Sequence, residues 1–244
     1  MMREAGRIVA EVLAILTEKA APGITTEQLD AVAEEHITRR GGTPAFKGYG
    51  GSGSRPAFPA AICASINEEV VHGIPDARVL CKGDILSIDV GVCKNGYFGD
   101  AAKTVAIGEI SPDAARLVKV CKESLREGIK HARAGMKLSE VSAAVQKHAE
   151  ANGYSVVRKF VGHGIGSEMH EDPQIPNFVS ADYKDVALKP GMALAIEPMI
   201  NQGASEVRTG PNKWTVATAD GTLSAHWEHT VAVTRAEAEI LTLP

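Results

Sequence analysis

The sequence predicts an α+β fold, in which helices cover one face of a mixed, largely antiparallel sheet. Two segments with the helical spacing of apolar residues precede strand-like segments, and this order occurs twice along the chain. A weak internal repeat points the same way, because residues 21–42 match residues 133–154 when shifted by 112 positions. We therefore expect one domain over residues 1–244, built from two related halves at about 1–110 and 111–244.

The first half opens with two predicted helices. The N-terminal stretch MMREAGRIVAEVLAILTEKA has an amphipathic helical spacing, and it lacks the features of a signal peptide. Thr25 and Gln28 are spaced as a capping box that begins a second helix, and Gly41 is a helix-stop signal. The repeat places Gly135, Val141, His148 and Gly153 of the second half where the first half has Gly23, Leu29, His36 and Gly41.

The best-defined strands of the first half flank Asn95-Gly96, a strong signal for a tight hairpin turn. With these two residues at the turn, the numbers of paired residues sum to 191. Asp89 and Asp100 are then diagonal neighbours on the same face of two adjacent strands.

The second half begins with Ser111, Pro112 and Asp113, which form a helix cap, a proline at the first helical position and an acidic first turn. Leu117, Cys121 and Leu125 mark one face of the helix that follows. The strand-like segments of the whole chain are DILSIDVGV, YFGDAAKTVAI, YSVVRKFVG, MALAIEPMI, KWTVATA and HWEHTVAVT.

Composition excludes several classes of protein. Hydrophobic residues make up 44% and charged residues 23% of the 244-residue chain, as in an ordinary globular protein. The net charge of −4 with no basic block argues against nucleic acid as the main partner. No apolar run is long enough to cross a membrane. The four scattered cysteines, with no CxxC pair, are typical of reduced thiols and predict a cytoplasmic location.

Four acids inside apolar strand segments are the main chemical signal: Asp89, Asp100, Glu197 and Glu228. Such acids can lie on a solvated face, but carboxylates that share one buried face repel each other unless a cation lies between them. His163 lies in the glycine-rich stretch FVGHGIGSEMHEDP and is a candidate fifth donor. Oxygen donors with one imidazole suit Mn, Fe(II), Co or Zn, and five such ligands are enough for two metal ions.

The other histidines divide into three groups. His36, His131 and His148 lie in charged helical segments and are expected on solvated faces or as structural histidines with satisfied hydrogen bonds. His226 and His229 flank Glu228, and we expect both to point away from it. His72 and His170 remain open, as loop residues or as members of the site.

Five segments together resemble type I methionine aminopeptidases: ICASINEEVVHGIP, DILSIDVGVCKNGYFGD, FVGHGIGSEMHEDP, MALAIEPMI and WEHTVAV. The resemblance implies the pita-bread fold, with two pseudo-symmetric halves around a dinuclear metal site and a curved sheet. It implies that Asp89 holds one metal, that Asp100 and Glu228 bridge both, and that His163 and Glu197 complete the second.

The resemblance also implies an activity, the removal of N-terminal methionine from nascent polypeptides when the second residue is small. Glu197 would shuttle a proton, His170 would stabilise the oxyanion and His72 would contact the scissile amide. The resemblance assigns the methionine pocket to Tyr49, Phe58, Cys63 and Trp214. It implies a monomer acting near the ribosome.

The chain departs from the family pattern in two places. The loop at residues 46–59 is longer, with an added GGSGSRP-like stretch, and Met169 stands where an aromatic residue is common. Three rival hypotheses stay open at this point: a prolidase-like or aminopeptidase P-like peptidase, a metal-free binding module, and a metal-storage or structural role.

Overall fold

The computed structural model describes all 244 residues. Its four helices are α1 (Met2–Lys19), α2 (Thr26–Arg39), α3 (Pro112–His131) and α4 (Leu138–Ala151). The predicted caps are confirmed: the Thr25 hydroxyl accepts a hydrogen bond from the Gln28 amide at 3.3 Å, and the Ser111 hydroxyl accepts one from the Ala114 amide at 3.1 Å. Gly41 has the left-handed φ of +67° expected of a residue that ends a helix.

The fifteen strands are short apart from one hairpin. In chain order they are β1 (Thr43–Pro44), β2 (Cys63–Ile66), β3 (Glu69–Val71), β4 (Ile85–Lys94), β5 (Tyr97–Ala106), β6 (Ser155–Val156), β7 (Gly162–Gly164), β8 (Glu171–Ile175), β9 (Ala193–Ile196), β10 (Met199–Asn201), β11 (Val207–Thr209), β12 (Val216–Thr218), β13 (Ser224–His226), β14 (His229–Ala232) and β15 (Glu239–Ile240). All of their pairings are antiparallel. The α+β prediction is thus confirmed.

The hairpin β4–β5 has the predicted register. Asp89 lies opposite Ala102 and Asp100 lies opposite Gly91, so the two aspartates are diagonal neighbours. A five-stranded sheet in the second half has the order β15-β14-β9-β7-β8. The hairpin and this sheet meet where Thr230 of β14 exchanges two hydrogen bonds with the backbone of Asp100.

Three of the predicted strands are interrupted. The segment 154–162 keeps only β6 and the first residue of β7, and residues 157–161 between them are irregular. The segment 192–200 divides into β9 and β10 at Glu197 and Pro198, where proline has no N–H to donate. The segment 226–234 divides into β13 and β14 at Trp227 and Glu228. Because Ile196 pairs with His229 and Met199 pairs with His226, the last two interruptions face each other. Glu197 and Glu228 therefore leave adjacent strands at the same place.

Each pair of helices packs on its own hydrophobic core. One core of 18 buried residues joins α1 and α2 to the β4–β5 hairpin, and another of 21 joins α3 and α4 mainly to strands of the second half. Helices α2 and α4 both have 14 residues, and the repeat offset maps one onto the other. This supports the hypothesis of two related halves in one domain, which stays a prediction. The acids lie between the two cores.

Candidate active site and metal centre

The five predicted metal ligands converge on one cavity between the two halves. Asp89 and Asp100 project from the central hairpin, whereas Glu197 and Glu228 project from the facing strand interruptions. The Glu228 amide donates a hydrogen bond to the carbonyl of Ala102, 2.9 Å away, which ties this interruption to β5. The ligand atoms of Asp100, His163 and Glu228 all lie within 4.8 Å of one another.

His163 lies in the middle of β7 and presents one ring nitrogen to the acids. Its Nδ1 lies 2.8 Å from the carbonyl oxygen of Gly164. Since a carbonyl only accepts, Nδ1 carries the proton and Nε2 has a free lone pair. Nε2 lies 3.6 Å from Glu197 Oε1 and 3.9 Å from Asp100 Oδ2. This tautomer is the one that a metal ligand requires.

The donor set fits divalent metal ions. Asp89 Oδ1, Asp100 Oδ1 and Glu228 Oε1 are buried and have no hydrogen-bond partner. Buried polar atoms without partners are rare, and a cation would satisfy these three. Burial raises the pKa of Glu197 to about 8 and that of Asp89 to about 6, and burial together with the neighbouring Asp89 raises the pKa of Asp100 well above its usual range. Such crowding favours a bound cation.

His72 lies on the same cavity in an unusual backbone conformation. Its φ is +59°, which is uncommon for a residue other than glycine. Its ring makes edge contacts with Phe160 and Trp214, at centroid distances of 5.6 Å and 6.1 Å. Burial lowers the pKa of His72 to about 4, so the imidazole is neutral at physiological pH. A neutral imidazole can donate one hydrogen bond and accept another.

His170 lies at the mouth of the cavity, close to the candidate ligand His163. The two imidazole centroids are 4.2 Å apart. The Tyr49 hydroxyl lies 2.7 Å from His170 Nδ1, and this hydrogen bond fixes the orientation of the ring. The structure therefore brings His72 and His170 to the same cavity as the acids, although sequence spacing alone left both undecided.

An apolar pocket forms one wall of the cavity. Phe58, Cys63 and Trp214 are all buried and pack together, with the Phe58 and Trp214 rings edge to face at 5.1 Å. Tyr49 lines the cavity but is 42% exposed, so it belongs to the rim. Phe46 also lines the cavity. Sequence reasoning missed two further lining residues, Arg55 and Phe160: Arg55 lies in an irregular loop, and the strand predicted over residues 154–162 is irregular at Phe160.

The prediction for His226 was wrong. Residues two apart in an extended segment share a face, so His226 points to the same side as Glu228. The side chain is buried, and its Nε2 lies 3.7 Å from Glu197 Oε2. His229 is one residue from Glu228 and does point away, toward the hydroxyl of Thr242 at 2.8 Å. His226 thus contacts one of the candidate metal ligands, Glu197.

Comparisons with known proteins identify the family of the chain. The model of metallopeptidase family M24 matches residues 1–235. A methionine aminopeptidase from Clostridium acetobutylicum is 53% identical over 99% of this chain and 94% of its own length. The crystal structure of methionine aminopeptidase from Rickettsia prowazekii superposes with a TM-score of 0.94, at 40% identity over 99% of this chain and 95% of that one.

A more distant likeness concerns the fold alone. Prolidase from Pyrococcus furiosus has a TM-score of 0.78 at 21% identity, and the match covers the whole of this chain but 63% of that one. Fold and site together define a metal-dependent peptidase with the pita-bread architecture. The chain belongs to metallopeptidase family M24, and within it the type I methionine aminopeptidases are the proteins that it resembles over nearly its full length.

Proposed function

We propose that this protein is a methionyl aminopeptidase, which removes the N-terminal methionine of polypeptides whose second residue is small. The main observation behind the proposal is that five potential metal ligands, two uncharged histidines and an apolar pocket line one cavity of about 210 Å³. Cavities that hold a drug-sized ligand are larger, roughly 300–1,000 Å³. A cavity of this size suits a single substrate residue, and the rest of the substrate peptide would leave through the mouth of the cavity.

The five donors would hold two divalent cations. Asp89 would bind one, His163 and Glu197 the other, and Asp100 and Glu228 both. When bound, these ions supply Lewis acidity and lower the pKa of a bound water to about 7. The crowded carboxylates in turn would be ionised and neutralised by the ions, which removes the repulsion seen among them.

The protein's own residues would perform the proton and charge work. Glu197 would accept a proton from the attacking water and pass it to the leaving amine, a general acid–base role. His170, held by Tyr49, would donate a hydrogen bond to the oxyanion that develops on the substrate carbonyl. His72 would hydrogen-bond at the scissile amide and assist its departure.

Specificity would arise from shape and desolvation. The pocket of Phe58, Cys63 and Trp214 offers apolar and sulfur contacts to an unbranched thioether and no partner for a charge. A second residue must lie beside the carboxylates and the glycine-rich strand β7, where little volume remains. We therefore expect efficient removal of Met before Gly, Ala or Ser, and poor removal before Leu, Phe, Lys or Glu.

The test uses metal-stripped protein reloaded separately with Mn, Fe(II), Co or Zn. Tripeptides varied at the first two positions are assayed for kcat/KM. Norleucine in place of Met should still be cleaved, because a small change in an apolar pocket costs only about 1–3 kcal/mol. Preference for proline at the second position with indifference to the first would instead assign the protein to the prolidase-like peptidases. Tight metal binding without cleavage of any peptide would favour a storage or structural role.

The cellular setting is also a proposal. No helix has the length and apolar character that a membrane span needs. All four cysteines are free, which supports the cytoplasm as the location. We further propose a monomer that acts on nascent chains near the ribosome. Light scattering after size-exclusion chromatography tests the first statement, and co-sedimentation with translating ribosomes tests the second.

A further inference from the structure

Arg55 is the only lysine or arginine among the residues that line the cavity. It lies in the segment by which this chain departs from the family pattern. Residues 48–58 form a small hairpin: Ser52 and Arg55 exchange two backbone hydrogen bonds, and Phe58 bonds through its backbone to Gly48 and Tyr49. The position of Arg55 is therefore fixed by the backbone.

The guanidinium group of Arg55 is also held by its side-chain contact. Its Cζ lies 3.4 Å from the centroid of the Trp214 ring, the geometry of a stacked cation–π contact. The same ring donates a hydrogen bond from Nε1 to the carbonyl of Pro56, 2.9 Å away. Trp214 thus contacts both the apolar pocket and the cation.

The charge of Arg55 has no anionic partner within the protein. Arg55 forms no ion pair, and its Nε is buried without a hydrogen-bond acceptor. Burial is the largest cause of the lowered pKa of His72, and the positive charge of Arg55 adds to it; the same charge partly offsets the rise that burial causes in the pKa of Tyr49. The four cavity acids would be neutralised by metal ions under the proposed function, so they do not supply the missing partner.

We propose that Arg55 is a specificity-determining residue that favours substrates with an aspartate or glutamate at the third position. This rests on the proposed function, because it uses the same site and reaction. The first side chain enters the apolar pocket, and the second residue lies beside the carboxylates. Arg55 lines the cavity and is half-buried between the exposed residues Ser54 and Pro56, so its guanidinium is within reach of a substrate segment that leaves the cavity at this rim. A carboxylate there would pair with the guanidinium fork.

The experiment compares C-terminally amidated peptides Met-Ala-Xaa-Ala with Glu, Gln or Lys as the third residue. The metal-loaded protein should show kcat/KM in the order Glu, Gln, Lys, with a span of roughly three- to tenfold, as for a partly screened ion pair. Arg55→Gln should bring the three values together, and Arg55→Lys should restore part of the preference. The preference should weaken at high salt.

Lys47→Gln is the matched control, because Lys47 carries the same charge, pairs with Glu34 and does not line the cavity. This variant should keep the preference for Glu. If Arg55→Gln slows all three peptides equally, Arg55 only supports Trp214 and the proposal is wrong. The amidated peptide Met-Ala-Ala-Glu is added to test position, and an equal gain from Glu at the third and the fourth position would show long-range attraction and would also contradict the proposal. Failure of the wild type to cleave any peptide would contradict the proposed function instead.

Discussion

Asp100 and Glu228 show why the metal centre was visible at the residue scale. Both carboxylates are almost fully buried, at 3% and 2% exposure, and each has one oxygen without a hydrogen-bond partner. An ionised group in that state is costly unless a cation compensates it. His226 was missed although strand alternation indicates it, since residues two apart share a face and His226 lies two residues before Glu228.

The two proposed bridging acids give the first prediction. Asp100→Asn and Glu228→Gln keep the side-chain volume and remove one negative charge each. We expect each variant to bind metal more weakly and to lose most of its turnover, because both acids serve two ions in the proposal. Metal content by mass spectrometry and activity on Met-Ala-Ser check this. Near wild-type values in either variant would remove the dinuclear assignment.

His72 and His170, the histidines proposed to contact the substrate, give the second prediction. His72→Ala and His170→Ala should retain metal and lose kcat by about 10²–10⁴-fold, the usual contribution of acid–base and oxyanion groups. Tyr49→Phe, which removes only the hydroxyl that orients His170, should have a smaller effect on kcat. If the histidine variants fold normally but lose their metal, the division of roles between ligands and substrate contacts is wrong.

At the scale of elements, β7 carries His163 between two neighbouring strands with almost no free space. A Cβ built at Gly162 would collide with the carbonyl oxygen of Ala195 on β9. One built at Gly164 would collide with the carbonyl oxygen of Asp172 on β8. Both neighbours are backbone atoms of paired strands, so they have little freedom to move. The glycines that flank His163 are needed for this close approach of strands.

Gly164→Ala should therefore displace β7 and with it the imidazole. We expect a loss of stability of about 1–3 kcal/mol, as for other overpacked sites, together with weaker metal binding. Ser167→Ala is a suitable control, since Ser167 is exposed and in the same glycine-rich segment. Urea unfolding and metal titration of both variants test the point. Equal behaviour of the two variants would show that β7 tolerates the methyl group.

At the scale of the whole molecule, the four acids lie on one cavity whose lining comes from residues 1–110 and 111–244 alike. Without metal, the folded chain holds protons on these acids that the unfolded chain has released. The pKa values of about 6 for Asp89 and about 8 for Glu197 lie above the values near 4 of the unfolded chain. The contribution of these two acids to the free energy of unfolding is fully present below about pH 4 and is lost as the pH rises through about 6 and about 8.

Metal should therefore stabilise the protein more at high pH. Burial lowers the pKa of His72 and His163 to about 4. Their contribution to the stability of the protein is therefore lost only as the pH falls below about 6.5, the pKa of an unfolded histidine. The test range is pH 6.5–8.5, where these two histidines do not titrate. We expect the Tm of the metal-free protein to fall across this range and the increase in Tm caused by Mn²⁺ to grow. Glu197→Gln should flatten the trend of the metal-free protein. A pH-independent effect of Mn²⁺ would contradict the raised pKa of Glu197.

Local patterns in the sequence determined much of this protein. Helix starts at Thr25 and Ser111 follow from side chains that satisfy free amide groups within the same turn. The register of Asp89 and Asp100 follows from a tight turn at Asn95-Gly96, because a two-residue hairpin leaves one alignment. The acids at these positions and at Glu197 and Glu228 were recognisable because a carboxylate in an apolar strand requires a partner.

The tertiary structure decided what depends on contacts between distant segments. Glu197 and Glu228 meet because two strand interruptions face each other, and a hydrophobic pattern does not show where a ladder breaks. The positions of His72, His170 and Arg55 were also undetermined, since loops follow the surfaces on which they pack and have no periodicity. These three residues converge on one cavity because segments far apart in the chain pack against each other.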